Sequence, residues 1–193
     1  MDFDRDKSRY CAFFCEENIW QLSKEFSAAG RDDQKFVLFF LCAEPTGSFF
    51  AIMNQRPLGS NSVGFWDYHV VLFDAKARLI YDFDTTLGCP VSADLYFAQT
   101  FPIQDTLEAG VRALVRAIPL KEYLERFSSD RSHMLDAAGK ELEPFPDWLP
   151  VIAKDPIWLK QYRSVGSIEG SQSEIVGVEE FAARLFLRQD EQD

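Results

Sequence analysis

The stretch that decides the fold is residues 63–84, VGFWDYHVVLFDAKARLIYDFD. Two runs rich in β-branched and aromatic residues flank a short polar segment, a pattern typical of a β-hairpin. We place the turn between Ala75 and Lys76. The residue numbers of every cross-strand pair then have the same sum, so His69 is predicted to lie directly opposite Asp82.

Residues opposite each other in a hairpin share one face of the sheet, with β-carbons about 5 Å apart. A carboxylate at that distance can accept a hydrogen bond from an imidazole, which fixes the tautomer of the ring and stabilises its charged form. Asp84 lies on the same face, one step further along, and is the second choice as partner of His69. An odd number of loop residues would break this pairing.

Apolar periodicity predicts the other elements, which alternate between helical and extended spacing. They are a helix over 16–29, strands over 35–42, 48–53 and 63–73 with a turn at 44–47, helices over 105–118 and 121–127, a loop-rich segment over 128–175, and a helix over 178–187. A helix, an antiparallel meander and further helices in this order indicate an α+β fold and argue against a parallel sheet.

Length and composition predict one domain spanning residues 1–193, with residues 1–10 as a poorly ordered lead-in. The 193 residues include 18 phenylalanines and 4 tryptophans, enough bulky apolar material for a large core. The formal net charge of −11 argues against a nucleic-acid partner and, more weakly, against an anionic membrane surface.

The location expected from the sequence is the cytosol. The first residues are charged and precede no apolar stretch of signal-peptide length, and the longest apolar run, residues 36–43, is too short to span a bilayer. The four cysteines do not have the spacing of a small disulfide scaffold, so we expect reduced thiols. They are Cys11, Cys15, Cys42 and Cys89.

The candidate nucleophile is Cys15, within residues 14–20, FCEENIW. It stands where a helix is predicted to begin, and the free N–H groups and dipole of a helix start favour a thiolate. An imidazolium from His69 would stabilise that thiolate further. A cysteine at a helix start, followed along the chain by a histidine and an aspartate on adjacent strands, is a layout found in papain-like and transglutaminase-like enzymes.

Other interpretations of these residues remain open. His69 could be a hydrogen-bonded core residue, and Cys11 could be the nucleophile. Cys11 and Cys15 with a histidine could begin a zinc site, for which Cys89 or His133 would complete the ligand set. The segment 127–134 could be a hydrogen-bonded loop or a rim of the site, with Asp130 facing a cationic group.

Four hexapeptides, in the same order along the chain, resemble the protein N-terminal glutamine amidohydrolase family. They are Cys15–Trp20, Trp66–Val71, Ile80–Thr85 and Ser129–Met134. The resemblance spans about residues 10–145, weakens over 147–175 and returns at 178–186. It implies an α-β-α domain related to papain and transglutaminase, in which Cys15, His69 and Asp82 are the catalytic residues.

The implied reaction is deamidation of an N-terminal glutamine to glutamate, with release of ammonia, through a thioester on Cys15. The implied partners are peptides or proteins with a free N-terminal glutamine. The resemblance also implies a monomeric protein and a role in the N-degron pathway. No cofactor, metal, nucleic acid or membrane partner is expected. The acids that could bind the substrate ammonium are Glu16, Asp67 and Asp130.

Three alternatives stay open beside the deamidase. The same three catalytic residues would serve a cysteine peptidase with an open cleft or a transglutaminase-like acyltransferase with an amine acceptor. A non-catalytic binding module would use Cys15 and His69 only as structural residues.

Overall fold

The structure, a computed structural model, describes residues 3–43 and 49–187. Its strands are β1 Lys35–Cys42, β2 Phe50–Met53, β3 Val63–Trp66, β4 Tyr68–Asp74, β5 Leu79–Tyr81, β6 Val91–Ser92, β7 Ala113–Pro119, β8 Phe127–Ser128, β9 Ile157–Trp158 and β10 Glu174–Gly177. Its α-helices are α1 Cys15–Ala28, α2 Ala93–Thr100, α3 Leu120–Arg126, α4 Leu159–Tyr162 and α5 Val178–Leu187. Short 3-10 helices cover Arg5–Lys7, Gln104–Thr106, Ala109–Val111 and Ser132–Met134.

A six-stranded sheet forms the centre of the molecule, in the order β10-β7-β1-β4-β5-β6. Every neighbouring pair in it is antiparallel. Two small sheets accompany it, antiparallel β2-β3 and parallel β8-β9. The prediction of an α+β fold with an antiparallel sheet is confirmed.

Both faces of the sheet are covered by helices. Val37 and Phe39 of β1 face a core that includes residues of α1 and α3, whereas Leu38 and Phe40 face a core that includes residues of α2 and α5. This double coverage explains why β1 is apolar along nearly its whole length, because a strand buried on both faces has no solvent side. The result is three layers, helix on sheet on helix.

The hairpin that orients the site has a longer loop than predicted. Asp74 pairs with Leu79, so four residues form the loop instead of two. The predicted register is therefore wrong by two positions, and a continued ladder would place Asp84, not Asp82, opposite His69. A shift of two positions keeps every side chain on its own face. His69 and Asp82 consequently still share a face, although the ladder ends at Tyr81.

The predicted strand over residues 63–73 is divided in the structure. Asp67 separates β3, which pairs with β2, from β4 in the central sheet. The Asp67 side chain accepts a hydrogen bond from the N–H of Tyr68 at 3.0 Å, a local contact that competes with continued pairing. The division places Trp66 and Asp67 at the end of β4 that carries His69.

The predicted helix over residues 105–118 is wrong. Two short 3-10 helices and strand β7 occupy this segment, and β7 pairs with β1 along seven positions. Its helical spacing of apolar residues is outweighed by pairing with a central strand, a long-range effect that periodicity does not contain. Helix α2, which the sequence did not predict, begins at Ala93 and is capped by Ser92, whose side chain accepts a hydrogen bond from the N–H of Leu95.

Buried arginines hold the loop-rich segment that follows α3. Arg116, fully buried in β7, donates hydrogen bonds to the carbonyls of Tyr162, Ser164 and Gly166. Arg131 forms a bidentate ion pair with Glu17 of α1, at 2.9 and 2.7 Å. These contacts supply the backbone of irregular segments with the hydrogen bonds that regular structure would otherwise provide.

We expect Glu17→Gln to lower the free energy of unfolding by about 3 to 5 kcal/mol, because it leaves the buried Arg131 guanidinium without its counter-charge. Urea unfolding followed by circular dichroism measures the change. Glu180→Gln is the matched control, since its ion pair with Arg184 is exposed and should contribute less than about 1 kcal/mol. A loss below about 1 kcal/mol for Glu17→Gln would contradict the structural role of the pair.

Residues of the predicted lead-in make side-chain contacts with the segment that follows β4. The Phe3 and Tyr81 rings pack edge to face, with their centroids 5.0 Å apart. The Tyr10 hydroxyl donates a hydrogen bond to the Asp84 carboxylate at 2.6 Å. The predicted turn at 44–47 lies outside the described residues. Within residues 3–43 and 49–187, no helix is long and apolar enough to cross a membrane.

Candidate active site

A cleft of about 470 Å³ opens where the start of α1 meets the end of β4. Its walls are largely aromatic and apolar, with a few acidic and basic side chains. It is lined by Tyr10, Ala12, Phe13, Cys15, Phe49, Pro57, Leu58, Phe65, Trp66, Asp67, Tyr68, Asp84, His133, Met134 and Arg163. A larger cavity of about 610 Å³ lies between the lead-in and α1, and its lining includes no cysteine or histidine.

Cys15 is the first residue of α1 and is only partly buried. Its thiol donates weakly to the Glu16 carboxylate at 3.7 Å, and the backbone of Val70 in β4, next to His69, acts to lower its pKa. Phe13, two residues before it, has a φ of +69°, a left-handed conformation that is unusual for a bulky side chain. Such strain clusters at functional sites, and here it occurs where the chain turns into α1 at the mouth of the cleft.

The environment of Cys15 differs from the prediction of a stabilised thiolate. Burial raises the pKa of the thiol well above its ordinary value of 9.0, and the charges of Glu16, Asp84 and Asp82 raise it further. The backbone of Val70 acts in the opposite direction but does not compensate. Desolvation and three neighbouring carboxylates therefore oppose the effect of the helix start and disfavour the thiolate in the free protein.

His69 and Asp82 lie together beneath the cleft, both fully buried. His69 Nε2 is 3.0 Å from Asp82 Oδ2, an ion-pair distance, although the ring N–H is not aligned on that oxygen. The other ring nitrogen, Nδ1, has no hydrogen-bond partner among the described residues. The Trp66 ring packs edge to face against the His69 imidazole, with the ring centroids 4.7 Å apart.

Asp82 is held by two further hydrogen bonds. The Tyr96 hydroxyl donates to Oδ2 at 2.8 Å and the Asp84 N–H donates to Oδ1 at 2.8 Å. Burial alone would raise the pKa of Asp82, but the imidazole and these hydrogen bonds hold that pKa below its ordinary value. Burial alone would lower the pKa of His69, and Asp82 instead raises it above 6.5. The pair thus favours an anionic Asp82 beside an imidazole that readily accepts a proton.

The three predicted substrate acids lie in different environments. Glu16 is fully buried and accepts a hydrogen bond from Tyr68 at 2.9 Å, and burial raises its pKa to about 7. Asp67 lines the cleft but forms an ion pair with Arg163 at 2.5 Å. Asp130 does not line the cleft, and its Oδ1 accepts hydrogen bonds from Ser132.

Several cleft residues were missed as site residues. Tyr10 and Asp84 line the wall near the buried pair, and His133 contacts Tyr68 through a hydrogen bond of 3.3 Å. Burial and the nearby Arg163 lower the pKa of His133 to about 4, so its ring is neutral at pH 7. The fourth hexapeptide drew attention to His133, but Tyr10 and Arg163 gave no signal because only tertiary packing brings them to the cleft.

The zinc site considered from the sequence does not form among the described residues. Cys11 donates weakly to the carbonyl of Pro144 at 3.6 Å instead of sharing a ligand cluster with Cys15. The one cluster of ligand-type side chains in the described chain is His69, Asp82 and Asp84, whose ligand atoms lie within 4.8 Å of one another. All three are buried. Asp82 accepts hydrogen bonds from Tyr96 and from the Asp84 N–H, and Asp84 accepts one from Tyr10.

Comparison with known proteins gives a consistent result. The sequence profile of the family described as N-terminal glutamine amidase matches residues 10–184. A Homo sapiens protein named protein N-terminal glutamine amidohydrolase is 33% identical over 148 residues, covering 75% of this chain and 71% of its own. The Danio rerio protein of the same name is 33% identical over 140 residues, covering 71% and 69%.

Proposed function

Because this chain belongs to the N-terminal glutamine amidase family, we propose that Cys15, His69 and Asp82 carry out its reaction. The protein is an enzyme with N-terminal glutamine amidohydrolase activity, converting the side-chain carboxamide of an N-terminal glutamine to a carboxylate with release of ammonia. The observation that carries the assignment of residues is a cysteine on the cleft wall, close enough to Asp82 for that charge to act on it, together with the buried His69–Asp82 pair.

The proposed first step is attack of the Cys15 sulfur on the carboxamide carbon. Because burial keeps the pKa of this thiol high, the proton must leave during attack, and His69 Nδ1 is the nitrogen free to accept it. The S–C bond forms as the C=O π bond opens to an oxyanion. The backbone N–H of Cys15, one of the helix-start N–H groups without an intrahelical acceptor, is the proposed donor to that oxygen.

The imidazolium of His69 then protonates the leaving nitrogen, and ammonia departs as a thioester forms. His69, neutral again, removes a proton from water, which attacks the thioester and regenerates the Cys15 thiol. Asp82 does not exchange protons in this scheme. It positions the ring and stabilises the imidazolium in both steps, which agrees with its lowered pKa.

The remaining expectations belong to the same proposal. The three-layer arrangement, with the cysteine at a helix start and the other two residues at the sheet, supports a papain- and transglutaminase-like fold. The four cysteines are free thiols, which supports a reducing compartment such as the cytosol. We propose a monomer acting on peptides or proteins with a free N-terminal glutamine, without a cofactor.

The function is tested with three peptides of one sequence, beginning with glutamine, with acetyl-glutamine, or with glutamine moved to an internal position. We expect the first peptide to release ammonia and to show the mass change of one deamidation, with the other two reacting far more slowly. Mass spectrometry follows the peptides, and an enzyme-coupled assay follows ammonia. Backbone cleavage would instead indicate a peptidase, incorporation of an added amine a transglutaminase, and no change in any peptide a binding module.

A further inference from the structure

We propose that the Asp84 carboxylate, held by Tyr10, is the subsite that binds the α-ammonium group of the substrate glutamine. This inference rests on the proposed function and adds to it the residue that makes the enzyme specific for a chain terminus. An N-terminal residue differs from an internal one by its cationic nitrogen. A site selective for it therefore needs a negative group on the cleft wall, near the nucleophile.

Asp84 is the acid that satisfies this condition among the described residues. It lines the cleft, and no lysine or arginine forms an ion pair with it. Asp67 also lines the cleft, but Arg163 already neutralises it. Glu16 is fully buried and accepts from Tyr68, and Asp130 lies away from the cleft.

The Asp84 carboxylate has a fixed orientation and a vacant acceptor. The Tyr10 hydroxyl donates to Oδ1 at 2.6 Å, whereas Oδ2 accepts no hydrogen bond from a described residue. The side chain is almost fully buried, with the residue 7% exposed, so it lacks the hydration that a surface carboxylate would have. Burial and the neighbouring Asp82 raise its pKa. The charges of His69 and Arg56 offset this only in part, so an ammonium group would supply a further counter-charge and a hydrogen bond to Oδ2.

The distance of Asp84 from the reacting groups fits the length of glutamine. Four bonds separate the α-nitrogen of glutamine from its carboxamide carbon, a span of about 5 Å when extended. Asp84 lies within 4.8 Å of a ring nitrogen of His69, and its charge acts on the Cys15 sulfur. A glutamine with its nitrogen on Asp84 can therefore present its carboxamide carbon to Cys15.

Binding at this subsite would also assist the chemistry. The Asp84 charge is one of those that raise the pKa of the Cys15 thiol. An ammonium group beside Asp84 offsets that charge, which makes loss of the thiol proton easier once a correct substrate is bound. Acetylation removes the ammonium charge, so an acetylated or internal glutamine forms no ion pair with Asp84 and provides no such assistance.

The test compares wild type and Asp84→Asn on a peptide beginning with glutamine and on its acetylated form. Asparagine keeps the size of the side chain but removes its charge. We expect KM for the free-amine peptide to rise by about 30-fold or more, with kcat changing by less than about 10-fold, and the slow reaction of the acetylated peptide to be no slower than with wild type. The preference for a free terminus should therefore fall by at least the change in KM.

Two further variants keep the result interpretable. Asp84→Glu retains the charge and should retain most of the preference, which covers the case in which Asp84→Asn fails to fold. Asp67→Asn removes the other cleft carboxylate and should leave the preference unchanged. Wild type that does not deamidate the glutamine peptide would overturn the proposed function itself.

Given an active wild type, three results would overturn the inference alone. The first is a loss of kcat for Asp84→Asn with an unchanged preference for the free amine. The second is a loss of preference in Asp67→Asn, and the third is a loss of preference in Asp84→Glu as large as in Asp84→Asn.

Discussion

The Cys15→Ala variant is expected to release ammonia from a glutamine-initiated peptide at least about 10⁴-fold more slowly than wild type. The sulfur is the only atom in the proposed mechanism that bonds covalently to the substrate. Without it, no thioester can form, and a water molecule positioned by chance attacks the carboxamide poorly. Initial rates of ammonia release, with mass spectrometry of the peptide over a long incubation, measure the loss.

The fold should survive this substitution, because Cys15 is only partly buried and its sulfur makes one weak hydrogen bond, to the Glu16 side chain at 3.7 Å. We expect a melting temperature within about 3 °C of wild type. Cys11→Ala is the matched control, since Cys11 is also a half-buried thiol near the start of α1 but does not line the cleft. Full activity in Cys15→Ala, or loss of activity in Cys11→Ala, would show that Cys15 is not the nucleophile.

The Asp82→Asn variant is expected to lose about 10³- to 10⁴-fold in kcat while remaining folded. Asparagine has the same shape: its Oδ1 can still accept from the Asp84 N–H, and its Nδ2 can donate to the Tyr96 oxygen in the place where Asp82 Oδ2 accepts from it. It cannot stabilise the imidazolium that His69 forms when it takes the Cys15 proton. The loss should therefore appear in kcat more than in KM, because Asp82 is buried and does not face the substrate.

The pH profile gives the same substitution a second, independent readout. His69 must be neutral to accept a proton, and Asp82 raises the pKa of His69 above 6.5. Wild-type kcat/KM should therefore fall as the pH is lowered through a value above 6.5. Removing the negative charge lowers the pKa of His69, so the residual activity of Asp82→Asn should persist to lower pH.

Tyr96→Phe is the control for Asp82, because it removes one hydrogen bond and leaves the carboxylate charge in place. We expect its kcat to fall by at most about 10-fold and its acid limb to stay above pH 6.5. An Asp82→Asn enzyme within 10-fold of wild type, with an unmoved acid limb, would show that the carboxylate does not act on His69.

The sequence predicted local structure well wherever the pattern of apolar residues was unopposed. Strand β1 and helix α5 have the bounds predicted for them, and α1 begins one residue before its predicted start. The prediction was wrong where a distant strand determined the conformation. The residues of β7 have helical spacing, yet they pair with β1, which lies more than seventy positions earlier in the chain. No local pattern contains that partner.

Some features of the candidate site could likewise be predicted from the sequence, and others could not. The parity of the hairpin placed His69 and Asp82 on one face, and this survived a loop two residues longer than predicted. The acids near the substrate could not be ranked, because Asp67 is neutralised by Arg163, which lies 96 positions away. The importance of Asp84 for substrate binding depends on the same comparison of long-range partners.

The sequence alone therefore determined which side chains stand at a helix start and which share a face of the sheet, since both follow from the local repeat of the backbone. Only the tertiary structure decided the protonation of Cys15, the partner of the imidazole and the acid that faces the cleft. The physical reason is that desolvation and charge act through space. A thiol at a helix start is stabilised as an anion only if the protein around it leaves that charge hydrated or compensated, and here three carboxylates from two segments surround it.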